Sequence, residues 1–164
     1  MPANPLILLI DDDANLRGIV TRAMSASFPA AAVVFLTSVA QARAYLTDSD
    51  KPLPRLILLD VHLDDTFTGF DVLALVRQKR RTFSIPVVML TTDTSAHNVK
   101  KSYDAGASSF HVKPHSYAGW KDFLGLIRTY WFDTVQLPPK LHSEEEEDHD
   151  LAQVTIKPKQ HSSW

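Results

Sequence analysis

The sequence predicts an α/β fold, a five-stranded parallel sheet with helices on both faces. Three observations lead there. Five apolar runs of strand length follow one another along the chain: "PLILLID", "AAVVFL", "RLILLDV", "IPVVMLTT" and "SSFHVK". They alternate with segments of helical spacing, the rhythm of βαβ units. The runs are also apolar without alternation, as expected of strands in the middle of a parallel sheet with helices on each side.

Each element has its own signal. The first run ends in three acids, Asp11, Asp12 and Asp13. Beyond them Leu16, Ile19, Val20, Ala23 and Met24 form one helical stripe that should face the sheet. Asp13 stands where that strand hands over to that helix, where a side-chain oxygen can cap free backbone N–H groups. Lys79, Arg80 and Arg81 fall at a predicted helix C-terminus, where cations meet the negative end of the dipole. In the last helical segment Trp120, Phe123, Leu124 and Ile127 make a second sheet-facing stripe. Tyr130, Trp131 and Phe132 follow, and suit either packing against the last helix or a partner surface. Pro138-Pro139 stops regular structure, and Glu144 to Asp148 reads as a solvated acidic run. The expected division is one domain over residues 1–137, with a short extension over about 131–137, and an acidic, flexible tail over 138–164 too polar to form a core of its own.

Composition narrows the function. The chain of 164 residues is 45% hydrophobic and 22% charged, a globular composition, and no apolar run approaches the roughly 18 residues of a membrane span. The start "MPANPLILLIDDD" lacks the basic flank of a secretory signal. Zero cysteines exclude disulfides, thiolate catalysis and cysteine-bound metal, and fit a cytoplasmic location. A net charge of −2 gives no long-range attraction for nucleic-acid phosphates. Neither a membrane nor nucleic acid is an expected partner. His62, His97, His111 and His115 share no metal-ligand spacing, and His142 and His149 belong to the solvated tail.

In a parallel α/β sheet, ligands bind at the carboxyl ends of the strands. There the sequence places Asp11 and Asp12, Asp60 ("LILLDVHL"), Thr91 and Thr92 ("VVMLTTD"), and Lys113 followed by Pro114 ("FHVKPH"). Three crowded carboxylates raise one another's pKa unless a cation sits among them. Hard oxygen donors point to Mg²⁺. A divalent ion beside a carboxylate nucleophile is what phosphoryl transfer to an aspartate requires, with Lys113 as second positive charge and Thr91 as hydroxyl donor.

With "LLIDDDANLR", "LILLDVHL" and Gly69 downstream, "IPVVMLTTDTS" and "AGASSFHVKP" in this order, the sequence closely resembles a response-regulator receiver domain, the phosphoacceptor of bacterial two-component signalling. The resemblance covers roughly Leu6 to Trp131 and implies a (βα)5, flavodoxin-like receiver fold. It implies that a sensor histidine kinase phosphorylates Asp60, and that Asp11, Asp12 and the backbone carbonyl of His62 join Asp60 in holding Mg²⁺. It makes Thr91 the switch hydroxyl, Phe110 the aromatic that repositions with it, Lys113 the family lysine, and the Lys113–Pro114 bond cis. Output would come through phosphorylation-dependent contacts with a downstream protein, without turnover of a separate substrate.

The chain departs from the family in places. Leu63-Asp64 replaces the common Met-Pro pair, the stretch up to Gly69 is one residue longer, and Thr92 stands where a smaller residue is frequent. Thr92, Asp93 and His62 would border the path of the hydrolytic water. The stretch "RTYWFDTVQLPP" is similar to the extension of stand-alone regulators that serve phytochrome-type kinases, where it contributes to homodimer contacts. Two other readings are a phosphorylation-independent scaffold on the same fold, and a haloacid-dehalogenase-like phosphatase using Asp11 and Asp13, whose pattern Ala14 and Asn15 do not continue.

Overall fold

The computed structural model describes residues 4–64 and 66–139; the acidic tail, with His142 and His149, lies outside them. The five apolar runs become β1 (Leu6–Ile10), β2 (Ala32–Leu36), β3 (Leu56–Asp60), β4 (Val87–Thr91) and β5 (Ser109–Val112). All pair in parallel, in the order β2-β1-β3-β4-β5. The order reverses direction between β1 and β3, the crevice where such sheets bind ligands.

Helices α1 (Leu16–Ser27), α2 (Val39–Thr47), α3 (Gly69–Gln78), α5 (Ala96–Asp104) and α6 (Tyr117–Ile127) connect and cover the strands, and α4 (Arg80–Phe83) is a single turn. Two apolar clusters form, one on each sheet face. Residues of α2 and α3 close one over Leu8, Ile57, Leu59 and Met89. Residues of α1 and α6 close the other over Ile7, Leu9, Leu58 and Leu90, with Trp120 wholly buried among them. Burying a side chain as large as leucine contributes about 2 kcal/mol, so these two layers fix the strand ends firmly.

The sequence expectations need four corrections. The apolar runs do not all lie mid-sheet: β2 and β5 are the edges and are only half-buried along most of their length, because an open sheet must end somewhere. The Lys113–Pro114 bond is trans, and there is no cis peptide among the described residues. Lys79 leaves helical geometry (φ −110, ψ 132) and α4 restarts behind it, so Arg80 and Arg81 belong to a separate turn. The Thr82 hydroxyl holds that turn back on α3 by donating to the Val76 carbonyl at 2.8 Å. Finally, the last helix continues past Ile127 as a π-helical stretch, Arg128–Thr134. Extra hydrogen bonds support this wider winding: the Thr134 hydroxyl donates five residues back, to the Thr129 carbonyl, at 2.6 Å.

The three aromatics of that stretch divide their roles. Trp131 and Phe132 pack on the α1–α6 cluster, with the Phe132 ring 5.0 Å from Phe28, while Tyr130 remains 51% exposed. No helix among the described residues is long and apolar enough to cross a membrane.

Candidate functional site

The site assembles because three neighbouring strands end in polar residues at one level. Asp11 follows β1, its N–H donating to the Leu36 carbonyl at 3.0 Å, and Asp60 and Thr91 close β3 and β4. Lys113 follows β5 with its N–H on the Thr91 carbonyl at 2.8 Å. The apolar residues before Asp11, Asp60 and Thr91 are buried, so the register that buries them also aligns these three polar ends.

Asp11, Asp12 and Asp60 each bring a carboxylate oxygen within 4.8 Å of the other two. Asp11 is 0% and Asp60 5% exposed, while Asp12 lies open to solvent at the mouth. The Lys113 ammonium stands between the two buried acids, 2.5 Å from Asp11 Oδ2 and 3.1 Å from Asp60 Oδ2. Among the described residues Asp11 Oδ2 finds no other partner, and Asp11 Oδ1 accepts from the Asp13 N–H at 2.9 Å.

The electrostatics follow from burial. Loss of water pushes the Asp11 carboxyl up to about 6, against the lowering effects of Lys113 and the Asp13 N–H. Burial also raises Asp60, opposed by the charge and hydrogen bond of Lys113 and by the His62 N–H. For Lys113 burial acts downward, but its hydrogen bond with Asp11 and the charges of both acids outweigh it and hold the ammonium above its ordinary range. Three carboxylates against one ammonium leave a deficit of two positive charges when all are ionised. With hard oxygen donors and a buried Oδ2 served by a single cation, the residues fit a divalent ion of the Mg²⁺ or Mn²⁺ type.

The loop after Asp60 shapes the other wall. Leu63 is fully buried in the α2–α3 cluster, so the residue replacing the usual Met anchors the loop by packing. Asp64 Oδ1 then accepts from the N–H groups of Thr66 and Phe67 at 2.7 and 2.6 Å, turning the chain back. His62 bridges to Thr68, and the Gly69 N–H donates to the Val61 carbonyl at 2.8 Å. A Cβ on Gly69 would sit 2.1 Å from the Asp60 carbonyl oxygen, so only glycine lets α3 begin against the backbone of Asp60. The His62 N–H donates to Asp60 Oδ1 at 3.2 Å.

Thr91 is wholly buried, and its Oγ1 accepts from the Asp93 N–H at 3.0 Å, which leaves its own proton available. Asp93 is tied to α5, accepting from the Ser95 N–H and from Asn98 Nδ2, each at 2.9 Å. Phe110 is half-buried against the α2–α3 cluster. Asp13 is not part of the carboxylate group of Asp11, Asp12 and Asp60, and its Oδ1 accepts from the Asn15 N–H at 2.9 Å, serving the backbone leading into α1. The sequence reading missed that Lys113 already bridges Asp11 and Asp60. The only available signal was three acids converging with one ammonium.

Comparison with known proteins agrees with this geometry. The chain matches the response regulator receiver domain family over residues 7–122. It is 30% identical over 139 residues to the probable methanogenesis regulatory protein FilR2 of Methanothrix harundinacea, covering 82% of this chain and 89% of that one. It is 30% identical to response regulator Rcp1 of Synechocystis, covering 83% of this chain and 96% of Rcp1. The Mn²⁺-bound structure of Rcp1 superposes with a TM-score of 0.72 at 29% identity, covering 82% of this chain and 99% of that one. The phosphorylated cyanobacterial phytochrome response regulator RcpA superposes at 0.75 with 27% identity, covering 84% of this chain and all of RcpA.

Proposed function

The chain belongs to the response regulator receiver family, and from that premise we propose that Asp60 is the residue it phosphorylates, with a histidine kinase of phytochrome type as donor. The carrying observation is the placement of Asp60: nearly buried, beside two further carboxylates, with its Oδ2 3.1 Å from the Lys113 ammonium. Asp11, Asp12 and Asp60, with the His62 carbonyl, form the metal-ligand set, and Mg²⁺ is the ion we assign. Bound there, the ion supplies positive charge against the transferred phosphoryl oxygens.

The residues of the chain do the rest. An Asp60 carboxylate oxygen forms the bond to phosphorus as the bond to the kinase's histidine nitrogen breaks, giving an acyl phosphate. Lys113 keeps its ammonium in the pocket, and its attraction passes from the Asp60 carboxylate to the new phosphoryl oxygens. The Thr91 hydroxyl has its proton free to donate to the same oxygens. Its movement would loosen the Asp93 contact and, through Asp93, the start of α5, while Phe110 repacks from its half-buried seat on β5. The exposed face beside β5, with Val112, Leu126 and Tyr130, then presents the output surface, where both a second copy of the chain and a downstream protein would bind. No separate substrate is turned over, and we place this chemistry in the cytoplasm with the kinase domain.

Intact-mass measurement after exposure to acetyl phosphate and Mg²⁺ tests the assignment. Wild type should gain one phosphoryl group and Asp60→Asn none, with the fold unchanged. Equal uptake by the variant would place the acceptor elsewhere, and no uptake by either would favour a phosphorylation-independent scaffold.

A further inference from the structure

Of the helices that cover the sheet, α5 is held differently. Helices α1, α2, α3 and α6 each put residues into one of the two apolar clusters, whereas among the described residues α5 puts none into either. Its one buried residue is Ser102, whose hydroxyl donates within the helix to the Asn98 carbonyl at 2.8 Å. Apolar burial therefore does little to fix it.

Directed contacts hold α5 instead. Before its start the Asp93 N–H donates to Thr91 Oγ1 at 3.0 Å, and Asp93 in turn accepts from Ser95 and Asn98. Beyond its end Gly106 turns the chain at φ +94, a conformation that glycine adopts without strain. The Gly106 carbonyl accepts from Arg77 Nε, and Arg77 Nη1 also donates to the Phe83 and Ile85 carbonyls. Between the two ends the Lys101 ammonium stands 4.2 Å from the centre of the Phe70 ring on α3. Phe70 follows Gly69, so this ring is carried by the turn of α3 that begins against the backbone of Asp60. The three contacts differ in strength: a guanidinium bonded to three carbonyls is a firm anchor, while a cation–π contact with an exposed lysine is a weak one.

We propose that α5 is an arm hinged at Gly106, and that Lys101 on Phe70 is the latch that holds it against α3 in the unphosphorylated chain. With Asp60 as phosphoacceptor, the reading on which this rests, withdrawal of the Thr91 hydroxyl frees the start of the arm. The latch then gives way while the Arg77 end stays, which makes α5 an element with two discrete positions.

The chain has no cysteine, so nitroxides on His97→Cys and Ala74→Cys, both exposed, report the separation of α5 from α3 alone. Lys101→Met removes the charge and keeps the stem and the helix propensity. In the unphosphorylated full chain it should raise the population of a second distance about threefold, the shift that an exposed cation–π contact carries, and Lys101→Arg should leave the wild-type distribution. An unchanged distribution in Lys101→Met, or the same rise in Lys101→Arg, would overturn the latch. After acetyl phosphate and Mg²⁺ the second distance should dominate in wild type, with intact mass counting the phosphoryl groups in the same sample. Wild type that carries the phosphoryl group and keeps the first distance would also overturn it. No phosphoryl uptake would strike the reading of Asp60 alone, since the unphosphorylated comparison involves no phosphoryl group.

Discussion

The two ends of the sheet handle charge in opposite ways. At the carboxyl ends of the strands, Asp11 and Asp60 are withdrawn from water and share one ammonium, so the negative charge exceeds what the fold itself neutralises. At the amino ends, Arg55 and Arg81 reach carbonyl oxygens. Arg77 does the same between α3, α4 and the turn before β5, donating to the carbonyls of Gly106, Phe83 and Ile85, each at 2.8 Å. The contrast separates chemistry from architecture. A buried group whose partner set is incomplete is poised to bind something, whereas a guanidinium spread over several carbonyls joins segments of chain.

Removing the central charge at each end breaks this comparison most sharply. Lys113→Ala leaves two buried carboxylates without a cation and should cost about 3 kcal/mol in urea unfolding near neutral pH, as loss of one partner of a buried pair does. The loss should shrink at about pH 5, where Asp11, with a pKa near 6, takes up a proton. Arg81→Ala removes hydrogen bonds to carbonyls that water can partly replace. It should cost only about 1 kcal/mol, and equally at both pH values. A pH-dependent loss at Arg81, or a pH-independent one at Lys113, would erase the distinction between the ends.

Much of the fold was legible because burial on both faces leaves a plain mark: Leu6–Ile10, Leu56–Asp60 and Val87–Thr91 could be read as strands from their apolar runs alone. The pocket acids were legible for the same reason, since Asp11 and Asp60 come directly after such runs. What escaped depends on side-chain contacts that hydrophobic patterning does not mark. The break at Lys79 needs the Thr82 hydroxyl on Val76, and the π-helical winding of Arg128–Thr134 needs Phe132 to reach Phe28 across the α1–α6 layer. The role of Lys113 was half legible: its place after β5 could be read, but its bridge between Asp11 and Asp60 depends on how β1 and β3 sit relative to it.

Asp11 also sets a pH dependence whose sign is fixed. Its folded pKa of about 6 lies above the ordinary 3.8, so in the metal-free protein its contribution to stability is complete below about pH 4 and is lost as pH rises through 6. Proton and cation therefore compete for the same carboxylate. Calorimetric titration of Mg²⁺ into the full chain tests this most directly. One site should fill, releasing protons near pH 6, with affinity at about pH 7.5 at least about tenfold above that at about pH 5, and Asp11→Asn should remove most of that ratio. No binding heat at either pH, or the same affinity at both, would contradict a buried carboxylate cluster that calls for a divalent ion.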